Sequence, residues 1–289
     1  MTRSVTRSMM AIGFLVLSLV AILPTQAAPV ECCAISRGSG GASIATAEPS
    51  DSVFANPAAI NQVKNSYILS SFFINQMTLG LFDNNRDSLF PAGLTFAQYK
   101  KEEDALFQKE NTLSLTMGAV FKRRFQFGLT VKNEQYLQLD KRHANIAADA
   151  GVLFIPSAKF GIGITSYNFY NAPEKEIEDL VGAQSWGAGL NYYYGNFLKL
   201  KLDYRPVEDF RTEGSFVMAG LETQTVSFMA FRVGYSYLVK DGDTRTFPYD
   251  RKYSFGMGFL GPRFHINYAF EDEKPTNESL HTIDLGIPF

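Results

Sequence analysis

Apolar and polar residues alternate with a period of two along most of this chain from Ser66 onward. The clearest run is Arg263 to Phe270, RFHINYAF. Phe264, Ile266, Tyr268 and Phe270 fall on one face, and Arg263, His265 and Asn267 on the other. Thr282 to Phe289 (TIDLGIPF) repeats the pattern with Ile283, Leu285, Ile287 and Phe289. So do Leu113, Leu115, Met117, Ala119 and Phe121, then Phe125, Phe127, Leu129 and Val131, then Leu198, Leu200, Leu202 and Tyr204. Such alternation predicts half-buried strands. Many intervening positions are Gly, Ser or Thr.

Alternation suits a soluble sandwich and a membrane barrel equally. The connections separate the two. Tight ones fall at Arg123-Arg124, Pro156 to Lys159, Gly195-Asn196, Thr223 to Thr225 and Gly261-Pro262. Longer charged ones lie between them: Lys100 to Glu110, Leu137 to Arg142, Asn171 to Asp179, Pro206 to Glu213, Lys240 to Asp250 and Glu271 to Ser279. Short turns at one end and long loops at the other mark outer-membrane barrels. Segments of roughly ten residues match a tilted spanning strand. Counting back from Phe289 gives about twelve strands, the first at Pro91 to Tyr99. A further hairpin, Ser66 to Ile74 and Met77 to Phe82, makes about fourteen. The expected fold class is all-β: a transmembrane antiparallel barrel of about fourteen strands, with about twelve as the alternative. Tyr192, Tyr194, Tyr235 and Tyr237 suit aromatic girdles at the membrane interfaces.

The beginning of the chain is different. Arg3 and Arg7 precede an apolar run from Met9 to Leu23, and small residues follow Pro24. This reads as a secretory signal peptide cut after Ala27 or Ala28. No later stretch approaches the ~18 apolar residues of a spanning helix, so a membrane-bound mature chain has to be a closed barrel. The expected division is signal peptide 1–27, N-terminal segment 28–65 and barrel 66–289. A net charge of −2 gives no pull toward nucleic acid. Aromatic residues make up 14 % of the chain, which suits strands and interfaces. Cys32 and Cys33 are adjacent and have no neighbouring ligands for a metal. In an oxidising compartment they leave two options, a vicinal disulfide or an intermolecular bridge.

A barrel this wide is either an open pore or a filled one. Residues 28–65 are long enough to enter it. Gly38, Gly40 and Gly41 allow close backbone approach, and Ala42, Ala45 and Ala47 pack closely. Asn56 is a good helix N-cap and Pro57 a good first helical residue, with Ala58, Ala59 and Ile60 continuing toward Val63. The expectation is a hatch within the lumen.

The run RGSGGASIATAEPSDSVFANPAAI resembles the N-terminal segment of the long-chain fatty-acid transporter family, the FadL-like proteins. It is also similar to related barrels that serve as secretion components, the PorV-like proteins. The matching positions are Gly40-Gly41-Ala42, Asp51 and Asn56-Pro57-Ala58. The resemblance implies a hatch inside the barrel and passive passage of hydrophobic compounds such as fatty acids. Its secretion branch implies the alternative, a scaffold barrel that binds periplasmic or secreted proteins.

Catalytic chemistry finds little support. Only three histidines exist. His265 has lumenal parity and comes opposite or diagonal to Asp284, but no nucleophile accompanies them, so there is no triad. Arg263, His265, Asn267 and Asp284 are expected as a polar lumen network that stiffens the wall. His143 and His281 are expected in solvent beside loops. Gly161/Gly163, Gly187/Gly189 and Gly256/Gly258 lie within strands, so they are not nucleotide loops. They suit curvature or close approach of the hatch. No enzyme activity, cofactor or metal is expected. Phe289, the last residue of an alternating segment, is expected to be the aromatic signal that barrel-insertion machinery reads. Expected partners are outer-membrane lipid, that assembly machinery, a hydrophobic ligand in the lumen, and periplasmic or secreted proteins.

Overall fold

The computed structural model describes residues 32–289 except 47–53, 75, 86–89, 101–106, 139–140, 179–180, 182–183, 196, 210–211, 227 and 241–248. The signal-peptide region 1–27 and Asp51 therefore lie outside the described residues. Fourteen strands form one closed antiparallel barrel in chain order. They are β1 (Asn65–Phe73), β2 (Gln76–Asn84), β3 (Ala92–Tyr99), β4 (Phe107–Phe121), β5 (Phe125–Gln138), β6 (Lys141–Ser157) and β7 (Phe160–Pro173). The second half holds β8 (Ser185–Tyr194), β9 (Leu198–Asp209), β10 (Thr212–Val226), β11 (Met229–Lys240), β12 (Tyr249–Leu260), β13 (His265–Pro275) and β14 (Glu278–Pro288). β1 closes on β14, and Ser66 and Phe289 exchange both backbone hydrogen bonds at that seam. Closure pairs every strand on both sides. In lipid an unpaired backbone group costs several kcal/mol, about 4–8 on the strictest apolar reference.

Burial is inverted relative to a soluble protein. The apolar set is exposed, with Leu115 at 45 % and Leu285 at 43 %, while the polar set between them is buried, Thr116 and Thr130 both at 0 %. Thr116 and Thr130 face each other and share a hydrogen bond of 2.8 Å between their hydroxyls. The apolar face therefore meets lipid and the Gly, Ser and Thr face meets the interior. Among the described residues no helix is long and apolar enough to cross a membrane.

The structure moves several connections. Leu137 to Arg142, Pro206 to Glu213 and Glu271 to Ser279 hold strand ends: β5 runs to Gln138 and β6 starts at Lys141, β9 runs to Asp209 and β10 starts at Thr212, and β13 runs to Pro275 and β14 starts at Glu278. The reason is strand length. β6 has 17 residues and β4 has 15, well beyond the roughly ten that a bilayer requires. Strands longer than the bilayer needs extend beyond it, where charge is solvated and the ladder continues. Arg142 there donates to both carboxylate oxygens of Glu110, at 2.8 and 2.9 Å. Likewise β10 runs past Thr223 to Thr225 and turns near Phe228, with a register shift between Thr223 and Val226.

Two buried stretches precede the barrel. The first, residues 32–46, contains a short helix α1 (Ala34–Gly38) that no sequence signal pointed to. The second, residues 54–64, holds a 3₁₀ helix, Pro57–Gln62. Asn56 caps it, its side-chain oxygen accepting from the Ala58 N–H at 3.0 Å, and Pro57 takes the first position. The start of this helix is where the sequence puts it, but its winding is 3₁₀ and ends at Val63, whose N–H reaches back to Ile60.

Candidate functional site

Both buried stretches pack on the inner face of the wall, and between them they touch every strand. Residues 32–46 cover the arc from β7 to β14. A Cβ added to Gly163 on β7 would stand 2.3 Å from the Ile44 carbonyl oxygen, and one on Gly234 of β11 would stand 2.0 Å from the Gly40 nitrogen. Residues 54–64 cover the arc from β2 to β7. There a Cβ on Gly128 would lie 2.1 Å from the carbonyl carbon of Pro57, and one on Gly151 1.9 Å from Asn56 Oδ1. Gly118, Gly128 and Gly151 are direct cross-strand partners, so three missing side chains form one trough for the 3₁₀ helix. β1 joins through Tyr67 and Leu69, which pack with Cys32, Cys33, Ile60 and Val63. Cys32 and Cys33 form a vicinal disulfide within that cluster.

Polar wall residues hold the first stretch. Asp203 Oδ2 accepts the N–H groups of Ser43 and Ile44 at 2.6 and 2.8 Å. Asp284 accepts the Ala34 N–H at 2.7 Å and the Ser71 hydroxyl at 2.6 Å. Glu271 pairs with Arg37, which lies 3.8 Å over the ring of Phe73, and with Lys252 at 3.0 Å. Gly40 and Gly41 take positive φ (69° and 85°) at the turn that follows α1, a region in which a side chain is strained.

Neutral groups hold the second stretch. Asn56 donates to the carbonyls of Ile44 and Val152 at 2.9 and 3.3 Å, bridging the first stretch and β6. Tyr167 donates its hydroxyl to the Ala55 carbonyl at 2.7 Å. Asn61 donates to the Phe127 carbonyl at 2.9 Å, and Asn84 donates to the carbonyls of Asn61 and Val63 at 3.1 and 2.7 Å.

The four residues expected to share a lumen network go separate ways. Arg263 sits exposed in the turn between β12 and β13. That turn is longer than its Gly-Pro signal suggests, so β13 begins only at His265. The His265 ring lies 5.7 Å from that of Tyr67 and faces Gly286 across the ladder. Asn267 and Asp284 are direct cross-strand partners, yet Asn267 accepts from Arg232 Nη1 at 3.1 Å while Asp284 holds Ala34. Arg232 also donates to Glu222 at 2.8 Å, which Lys199 approaches at 3.1 Å. Sequence reading missed Asp203, Glu222, Arg232 and Glu271. Their signal was present as charged residues at the inward parity of strands.

At the outer end Lys109 pairs with Glu134 at 2.5 Å and lies 5.5 Å from the Tyr136 ring centroid. Ile177 and Val181 of the β7–β8 connection cover Tyr136. Nearby, His143 Nδ1 and Glu174 Oε2 are 2.9 Å apart, and the Ala144 N–H donates to the other Glu174 oxygen at 3.2 Å. These two bonds hold the Glu174 carboxyl below its usual range. Glu176 comes within 4.8 Å of both. With both Glu174 oxygens already engaged, the group reads as a loop staple. His281 is exposed, and its Nδ1 lies 2.8 Å from the Tyr268 hydroxyl.

No family model matches the sequence, and no curated protein matches it either. Solved structures do match the fold. The Ralstonia pickettii toluene transporter TbuX superposes with a TM-score of 0.64 at 11 % identity, over 92 % of this chain and 99 % of that one. The Pseudomonas putida toluene transporter TodX gives 0.60 at 13 %, over 91 % and 98 %. A Pseudomonas aeruginosa FadL homologue gives 0.59 at 12 %, over 93 % and 99 %. At these identities the likeness is one of fold: this chain is a closed, fourteen-stranded barrel of the outer-membrane type, built like those transporters.

Proposed function

We propose that this chain is a passive outer-membrane channel for hydrophobic molecules, with residues 32–64 as the hatch that closes it. One observation carries the reading. Two buried stretches fill the interior so closely that, on most of the strands they meet, a glycine stands where a side chain would collide with them. A barrel that only needed a scaffold wall would have no use for such a fit, and an open porin would lack it. The matched toluene transporters and the FadL homologue support a hydrophobic cargo, which includes fatty acids in this proposal. Gly40, Gly41, Ala42, Asn56, Pro57 and Ala58 are the hatch motif in this reading, together with Asp51. Asn56 has the central part, since its amide ties both stretches and β6. Phe289, exposed at the closing seam, is the insertion signal.

Deleting residues 37–60 tests the hatch. In planar bilayers the deleted protein conducts steadily where the intact one is closed, and an unchanged trace sinks the reading. Mass spectrometry of gently purified protein then finds bound lipid or other apolar compounds. An empty lumen with co-purifying periplasmic proteins turns the assignment to a scaffold.

A further inference from the structure

The two stretches are not held alike, and the difference says which one moves. This inference rests on the hatch reading. Carboxylates of three strands grip residues 32–46: Asp203, Glu271 and Asp284. Hydrogen bonds to an ionised group are roughly twice as strong as neutral ones. Among the described residues, the wall partners of 54–63 are amides and a hydroxyl. Local opening starts where the grip is weakest.

One of those neutral bonds has a built support. Opposite Asp149 of β6 the β7 strand is bulged: Ala148 pairs with Tyr170 and Ala150 with Ser166, leaving three residues against one. Asn168 takes a positive φ of 50° there. Its N–H donates to Asp149 at 2.7 Å, and Lys132 joins both, 2.7 Å from Asn168 Oδ1 and 2.8 Å from Asp149. Asn168 is thus buried beside Tyr167, while Phe169 and Tyr170 face outward. A bulge with a left-handed residue and a buried ion pair is costly to keep in a membrane wall. What it steadies is the Tyr167 hydroxyl on the Ala55 carbonyl.

We propose that residues 54–63 are the moving gate of the hatch, that residues 32–46 are its fixed anchor, and that Tyr167 is the latch. Release of the latch frees the 3₁₀ helix from its glycine trough and opens the sector of the lumen lined by β3 to β7. The anchor stays on β9, β13 and β14.

Amide hydrogen exchange on the full-length protein in micelles tests this, with wild type beside Tyr167→Phe. In wild type, peptides covering 54–63 exchange faster than those covering 32–46. Tyr167→Phe speeds exchange in 54–63 about fivefold, the factor for one net hydrogen bond, and leaves 32–46 as before. The same variant raises the frequency of channel openings in planar bilayers by a similar factor. A structural defect would instead lower the heat-shifted gel band and speed exchange across the strands. Faster exchange in 32–46 than in 54–63, or equal acceleration of both, overturns the assignment of gate and anchor. If deletion of 37–60 opens the channel while Tyr167→Phe changes neither readout, the hatch stands and the latch falls.

Discussion

Residues 32–46 and 54–64 solve one problem in two ways. Each has to lie in the middle of a barrel with its backbone polar groups satisfied. The first stretch is met by carboxyl side chains aimed at its N–H groups, Asp203 at Ser43 and Ile44, Asp284 at Ala34. The second satisfies itself in part, through its 3₁₀ turns and the Asn56 cap, and packs the apolar Ile60 and Val63 on Phe82 of β2. The first is fastened and the second is seated. A fastened element resists movement through a few strong bonds with fixed direction. A seated one depends on shape, and it leaves when the seat changes.

Breaking a fastening gives the largest expected effect. Asp203→Ala leaves two buried N–H groups without an acceptor and removes the charge between Lys201 and Arg205. Removing one member of such a buried arrangement costs about 3–5 kcal/mol. Chemical unfolding in lipid vesicles measures it, and exchange of residues 32–46 becomes fast. A loss below about 1 kcal/mol, the size of a single neutral hydrogen bond, ends the distinction between the two stretches.

Altering the seat comes next. A Cβ on Gly128 meets backbone atoms of Pro57 and Ala58, at 2.1 and 2.3 Å, which have nowhere to turn. Gly128→Ala therefore destabilises the closed state by about 1–3 kcal/mol, the usual range for overpacking. The barrel itself keeps its ladder, so the expected signature is a leaky channel with an intact heat-shifted gel band. A closed channel with a weakened barrel assigns Gly128 to the wall instead.

These sites differ in how readable they were. The barrel was legible because period two is a property of each strand alone, and burial merely inverted its meaning in lipid. Strand ends were less so. Charge at Leu137 to Arg142 and Glu271 to Ser279 looks like a loop, yet above the bilayer a solvated strand is just as stable. The Asn56-Pro57 start was legible because capping is local. Its 3₁₀ winding was not, being set by the room left between Gly118, Gly128 and Gly151. The fastenings were the least legible. Asp203 and Glu271 carry inward parity, but nothing in the sequence says which of many inward charges will face an N–H donor some 160 positions away, as Asp203 faces Ser43. Arg263 shows the converse error: its parity pointed inward only if the strand reached that far, and β13 starts two residues later.

The smallest expected effect asks whether closeness alone defines a seat. Gly187 on β8 also lies against the first stretch, but a Cβ there would meet Ile44 Cδ1 at 2.7 Å, the far end of a flexible side chain, and Arg205 Cγ at 3.2 Å. Ile44 can rotate its terminal methyl, whereas the Pro57 backbone cannot step aside. Gly187→Ala should therefore cost under about 1 kcal/mol, within the range of a mild rotamer adjustment. Meanwhile Asp203 still holds the Ile44 N–H, so residues 32–46 keep their slow exchange. The measurement is the same unfolding midpoint and exchange profile, run beside Gly128→Ala. Equal costs at the two glycines would mean that contact distance, and not the rigidity of what is contacted, sets the fit. A leak from Gly187→Ala as large as that from Gly128→Ala would mean more: it would make the first stretch seated too, with its carboxylates secondary to the wall's shape.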